Sequence, residues 1–174
     1  FLHGPNWIYG EYEYAVQQRF RSGEYIASYV RYGIMAMQLP RELPHVVFDS
    51  VTVRGKQLGK QYDKKQLHTL EGDFSKFFNT YFAPTYTIDS LSFITPEVML
   101  ALRDAADYDI EIVGNQVLMY GPLFDAESQL TDMSQKLHVI YDKLMNNITT
   151  YRDDRLPYAE GRQTVAAMGR SLRP

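Results

Sequence analysis

The chain has 174 residues, 45 % of them hydrophobic and 22 % charged, the make-up of one ordinary globular domain long enough to bury a core. A formal net charge of −3 and a pI near 5.8 argue against a surface that holds nucleic acid electrostatically. The absence of cysteine excludes disulfides, thiolate nucleophiles and cysteine-based zinc or iron–sulfur sites, and leaves the redox compartment open.

The first residues, FLHGPNW, read as a loop broken at Gly4-Pro5. From Ile8 to Phe20 the pattern alternates, with Ile8, Tyr12, Tyr14, Val16 and Phe20 on one side and Glu11, Glu13, Gln17 and Arg19 on the other. That predicts a half-exposed antiparallel strand with the first set inward. A turn at Arg21-Ser22-Gly23-Glu24 leads to a second strand from Tyr25 to Leu39, apolar on both sides after Val30 and therefore central, with a bulge expected at Gly33. The prolines of Leu39-Pro40 and Leu43-Pro44 frame a short rigid loop before a third strand, His45 to Ser50.

The segment Arg54 to Lys65, RGKQLGKQYDKK, holds five basic residues and one acidic one. Its glycines and hydrophilic character predict an exposed loop. Arg54, Lys56, Lys60, Lys64 and Lys65 are the candidate contacts for a partner or for anionic lipid headgroups, each adding about 1 kcal/mol near such a surface. The plainer alternative is a solvated face. A phosphate loop is rejected, because one residue is missing between the glycines and Gln61 stands where Ser or Thr must meet Mg²⁺.

The densest folding signals lie between Leu70 and Pro122. Asp73 is a suitable N-cap, and Phe74, Phe77, Phe78 and Tyr81 fall on one helical stripe, although Asn79 to Phe82 is equally readable as strand. Leu91 to Phe93 reads as a brief strand. Thr95-Pro96-Glu97 then starts a helix running to about Ala106: the threonine caps, the proline gives up an N–H without a partner, and the glutamate meets the dipole. Strands Tyr108–Val113 and Gln116–Tyr120 follow, joined by Gly114-Asn115 as a type II′ hairpin. That pairing puts Ile110, Ile112, Val117 and Met119 on one face and leaves Asp109, Glu111, Leu118 and Tyr120 half wet.

The spacing of Glu71, Gly72, Asp73, Phe74, Phe78, Asp89, Leu91, Thr95, Pro96, Met99, Asp109, Glu111, Ile112 and Tyr120 resembles a bacterial family of proteins of unknown function. It covers roughly a third of the chain, more if 39–45 belongs to it. The resemblance implies an α+β domain following membrane helices, and implies no activity.

Asp125 is placed to cap a long helix. Leu130, Met133, Leu137, Ile140, Tyr141, Leu144, Ile148 and Tyr151 recur at helical spacing over 126–151. This stripe either covers the sheet, the favoured arrangement, or pairs with a second copy as a homo-oligomer. From Arg152 onward arginines accumulate and periodicity fades, so 152–174 reads as an irregular tail beyond a single domain at 1–151.

Candidate chemistry is sparse. Asp107, Asp109 and Glu111 invite a metal or hydrolase reading, but the EF-hand pattern fails: its glycine falls at Ile112 and its last ligand at Leu118. Carboxylates on a wet strand face are the plainer explanation. His3, His45, His68 and His138 share no metal-like spacing, and neither a G-x-S-x-G elbow nor H-E-x-x-H occurs. Asn147-Ile148-Thr149 matches a glycosylation acceptor inside a predicted helix. The tyrosine-rich first hairpin mixes acids with arginines, which suits cross-strand packing better than a stacking platform for nucleic acid.

The sequence therefore predicts a single α+β domain: a mostly antiparallel curved sheet or small barrel of five to seven strands, packed by helices at about 96–106 and 126–151. The expected role is a non-catalytic binding or scaffold module without cofactor. Its partner would be an unknown protein or an anionic membrane surface, on the cytoplasmic side of a membrane. No run reaches the roughly 18 apolar residues of a spanning helix. No signal peptide stands at Phe1, and an upstream anchor is compatible with a chain that starts without Met.

Overall fold

One strand organises the molecule, and the computed structural model describes it along with the rest of residues 2–19, 25–53, 62–123, 125–149 and 151. The strands are β1 (Leu2–His3), β2 (Trp7–Arg19), β3 (Tyr25–Ser50), β4 (Leu67–His68), β5 (Phe78–Phe82) and β6 (Asp109–Pro122). The helices are α1 (Thr87–Phe93), α2 (Pro96–Asp104) and α3 (Ala126–Ile148), with 3₁₀ turns at Lys64–Gln66, Phe74–Lys76 and Pro84–Tyr86. All pairings are antiparallel. The 26-residue β3 carries β2 and then β5 along one edge, with β1 and β4 outside them, and β6 along the other. The architecture is the α+β antiparallel sheet expected, in its open curved form rather than as a barrel.

Two expected breaks in the sheet are absent. The strands anticipated at 25–39 and 45–50 are one strand, and those at 108–113 and 116–120 are likewise one strand, β6, with no hairpin at Gly114. The proline-framed segment is a bulge inside β3. From Gln38↔Gln116 to Leu43↔Gly114, β3 advances five residues while β6 advances two; to Val46↔Ile112 it advances three against two. The expected bulge at Gly33 therefore sits further on, and Gly33 itself is in regular register with Glu11 and Gly121. Gly33 serves close packing: a Cβ there would lie 3.2 Å from the Tyr9 hydroxyl and 3.3 Å from Gln129 Nε2.

Gly114, at φ +57°, takes the left-handed conformation that turns β6 against this bulge. A strand normally alternates faces at every residue, so 112 and 117 would point apart. The kink resets the alternation. Ile110, Ile112, Val117 and Met119 all join Met35, Met37, Val46 and Phe48 in the core, each at most 1 % exposed. The shared face was legible in sequence; the continuous strand that achieves it was not.

The helices cover this face. The chain after Ala83-Pro84 winds through a 3₁₀ turn into α1 rather than the brief strand expected at 91–93. Its inner side is Tyr86, Ser90 and Phe93, at helical spacing, while Ile88 and Leu91 face out. The helix α2 starts at the expected Thr-Pro-Glu, with Pro96 in its first turn and Glu97 near its N-terminus, but Thr95 makes no side-chain capping bond; Val98, Ala101, Leu102 and Ala105 are buried. Its Glu97 carboxyl is held below the usual range by its own backbone N–H and the Thr95 hydroxyl. In α3 the stripe Met133, Leu137, Ile140, Leu144 and Ile148 is buried against β3 and α2, with Leu130 and Tyr141 partly so. Neither Asp73 nor Asp125 makes a side-chain capping bond.

The aromatic run resolves as a 3₁₀ turn followed by strand: Phe74 stacks near Phe78, and both meet Phe48 edge-on at 6.1 Å. Each fully buried phenylalanine contributes roughly 1.5–3 kcal/mol. At the start of β2 the buried side is opposite to that expected, while the side chains of Tyr14, Val16 and Phe20 lie outside the described residues. Tyr9 is buried opposite Met35, while Ile8 and Tyr12 are half exposed. The register explains it, because Tyr9 falls on the helix-covered face and Ile8, opposite Ala36, falls on the other. The anticipated tail, 152–174, lies outside the described residues.

Candidate functional site

The acids expected on a wet strand face are interior. Asp109 and Glu111 are 0 % and 1 % exposed, and only Asp107, before β6 begins, stands in solvent. On the face of β3 away from the helices, His45, Val47 and Asp49 alternate, and Val47 pairs with Glu111 on one side and Tyr81 on the other. Tyr62 stacks on Tyr81 at 4.8 Å and helps close this face. A buried polar layer results, where the sequence suggested water.

His45 Nε2 lies 2.6 Å from Glu111 Oε1, so the imidazole N–H donates to the carboxylate. The Tyr120 hydroxyl donates to the other oxygen, Oε2, at 3.5 Å. Burial first, then the Glu111 charge, pushes the Tyr120 phenol well above its ordinary value. His45 Nδ1 has no hydrogen-bond partner among the described residues. Asp109 accepts from the Ser50 backbone N–H at 2.8 Å, and Asn79 Nδ2 donates to Asp49 at 3.4 Å. These bonds tie β3, β5 and β6 together.

Asp107 belongs to a separate cluster at the sheet–helix junction. Lys136 Nζ bonds Asp132 at 2.9 Å and Asp107 at 3.4 Å, and lies 5.2 Å from the centre of the Tyr108 ring. The Tyr108 hydroxyl donates to Asp132 at 2.7 Å. Burial, followed by Asp132, raises the Tyr108 phenol. Burial works against the Lys136 ammonium, but Asp132 and Asp107 outweigh it and leave its pKa raised. The three carboxylates of the sequence motif thus go to three different partners. Among the described residues no cluster of three metal-ligating side chains forms.

Of the basic segment, Arg54, Lys56 and Lys60 lie outside the described residues. Lys64 and Lys65 are exposed on a 3₁₀ turn. A capping box fixes that turn: the Asp63 carboxylate accepts from Lys65 N at 3.0 Å, and Asp63 N donates to the buried Gln66 side chain at 3.2 Å. Both lysines are therefore displayed from a rigid base.

Two further features escaped the sequence reading. A surface groove of about 350 Å³ is lined by Glu71, Gly72, Asp73, Phe74, Pro96, Met99, Leu100 and Arg103. It brings together two segments, 71–74 and 96–103, that lie more than 20 residues apart in the chain. His45 had no signal, since its partner is 66 residues away.

The fold and these sites define a single α+β domain with an antiparallel sheet, its helices on one face and a buried polar layer on the other. No family model matches the chain, and no curated protein matches it. Among solved structures, the crystal structure of the mycobacterial trehalose monomycolate transport factor A, TtfA, is similar at 12 % identity, covering 75 % of this chain and 70 % of that one with a TM-score of 0.47. A likeness at that level carries no functional conclusion. No helix among the described residues is long and apolar enough to cross a membrane.

Proposed function

We propose that this domain is a non-catalytic binding or scaffold module of a bacterial membrane-associated protein, working on the cytoplasmic side of the bilayer. The observation that carries the reading is the divergence of the acids. Glu111 is engaged by His45 and Tyr120, Asp109 by the Ser50 backbone, and Asp107 by Lys136. A hydrolase built on Asp107, Asp109 and Glu111 together would need them to converge on one substrate; these groups serve the sheet and its junction with α3.

The surface that meets the partner is the basic segment 54–65, in which Lys64 and Lys65 stand on their capped turn. The membrane neighbourhood draws its support from the resemblance around 71–74, 95–99 and 109–120. Vesicle flotation tests the reading. The domain is expected to float with anionic phosphatidylglycerol vesicles and not with neutral phosphatidylcholine ones. The Lys64→Ala/Lys65→Ala variant should bind about 30-fold more weakly, from about 1 kcal/mol per lysine. Flotation that ignores lipid charge, or an unchanged double variant, overturns the lipid contact and leaves a protein partner as the object of the module.

A further inference from the structure

We infer that the groove between residues 71–74 and α2 is the docking site of this chain's own segment 152–174, which enters it through Leu156 and Tyr158. The groove is apolar and open among the described residues: the buried Phe74 lines it, Met99 is half-buried and Leu100 is 51 % exposed. At about 350 Å³ it lies at the lower end of the volumes that hold a ligand. Its rim carries Glu71, Asp73 and Arg103. Asp73 is matched by Lys76 at 3.8 Å and Arg103 by Asp104 at 3.8 Å, which leaves Glu71 as the rim's open charge among the described residues. A segment that joins a cation to apolar side chains is the complement of such a surface.

The place where that segment begins selects it as the occupant. The last turn of α3 is fastened to the start of α2, with Asn147 Nδ2 donating to the Thr95 hydroxyl at 3.2 Å. Four residues on, Tyr151 is clasped by β3 and α1. Arg41 donates to its carbonyl, its ring meets Phe93 edge-on at 6.2 Å, and its hydroxyl donates to Asp89 at 3.5 Å. The chain therefore departs beside the Pro96 end of the groove. From Pro96 to Arg103 α2 rises about 10 Å, and the five residues from Tyr151 to Leu156 span up to about 17 Å, enough to reach any part of it. Segment 152–174 has five arginines against three acids, a surplus of two positive charges in a chain whose total is −3. Arg155 precedes Leu156-Pro157-Tyr158, which puts a cation for Glu71 next to apolar side chains for Met99 and Leu100. The tether supplies an effective concentration on the order of millimolar, so even a weak fit keeps the groove covered. An external ligand then reaches it only by displacing the segment.

Two measurements on the full chain test the docking. Trypsin cuts after Arg155, and a docked segment holds that bond back. Leu100→Asp, at an exposed position, should speed the cut on the order of tenfold, while Val139→Asp on the exposed side of α3 should leave it unchanged. The chain has no cysteine, so disulfide formation is a second readout. Leu100→Cys/Tyr158→Cys should oxidise to an intramolecular link on the order of tenfold faster than Val139→Cys/Tyr158→Cys. Position 139 lies about 18 Å back along α3 from Tyr151, and the seven residues to Tyr158 span up to about 24 Å, so the comparison separates docking from simple reach. Equal cleavage in wild type and Leu100→Asp, or equal linking at 100 and 139, overturns the inference. Protection that is lost on dilution places the segment in the groove of a second copy and overturns the intrachain arrangement.

Discussion

Replacing His45 by alanine removes the imidazole that lies 2.6 Å from Glu111 Oε1, with both side chains at most 2 % exposed. The buried Glu111 carboxylate then keeps only the 3.5 Å bond from the Tyr120 hydroxyl and cannot turn to water to replace the other. Taking a hydrogen-bond partner from a buried charged acceptor costs about 3 kcal/mol, a large share of the roughly 5–15 kcal/mol that holds a typical domain folded. For a chain of this size that is a fall in Tm of about 6–12 °C. The assay is urea unfolding of five proteins: wild type, His45→Ala, His45→Leu, Glu111→Met and the double variant His45→Leu/Glu111→Met, the last three closing a cycle with wild type. Val47 stands opposite Glu111 in register, and the pair's hydrogen bond offsets a desolvation cost that two apolar side chains never incur. The double variant is therefore expected to regain most of the stability lost by His45→Ala, with a coupling energy of roughly 2 kcal/mol or more. A loss below about 1 kcal/mol in His45→Ala, or a double variant no better than the sum of the singles, would refute the account of this layer as a mutually compensated network.

Alkaline pH should destabilise the fold through two tyrosines. Tyr120 and Tyr108 have folded pKa values above the unfolded value near 10, both from burial first and a neighbouring carboxylate second. Their contribution is complete below pH 10 and is lost as pH rises beyond it, because the unfolded chain then releases protons that the folded chain retains. Urea midpoints should hold to about pH 9 and fall above pH 10, and Tyr120→Phe with Tyr108→Phe should flatten that fall; an equal slope in the double variant would exclude these phenols as its source. Gly114→Ala should cost about 1–2 kcal/mol from φ +57° alone, since no atom lies within 4 Å of the added Cβ. Circular dichroism with urea melts reads that cost, and a neutral substitution would mean the kink does not depend on glycine.

Local patterns were sufficient where one element's own residues set the outcome. The helix α2 follows from Thr95-Pro96-Glu97, and α3 from a stripe whose members Met133, Leu137, Ile140 and Leu144 are all buried. The short strand expected at 91–93 failed because α1 is held by Tyr86, Ser90 and Phe93 against the core, and seven residues carry too little periodicity to show it. The alternation of Asp109 and Glu111 with Ile110 and Ile112 was read correctly as two faces. It was misread as one dry and one wet face, because alternation records which residues share a side and not what covers it.

The sequence by itself determined the class of fold, the two longer helices, the apolar face of β6 and the absence of thiol chemistry. Each follows from composition or from spacings within a few turns or a single strand. Only the tertiary structure decided that β3 and β6 run unbroken through a proline-framed bulge and a left-handed glycine, and that the second sheet face is a buried layer joining His45 to Glu111. Those outcomes rest on strand register and on contacts between residues far apart in the chain, whose free energy exists only once the sheet has assembled.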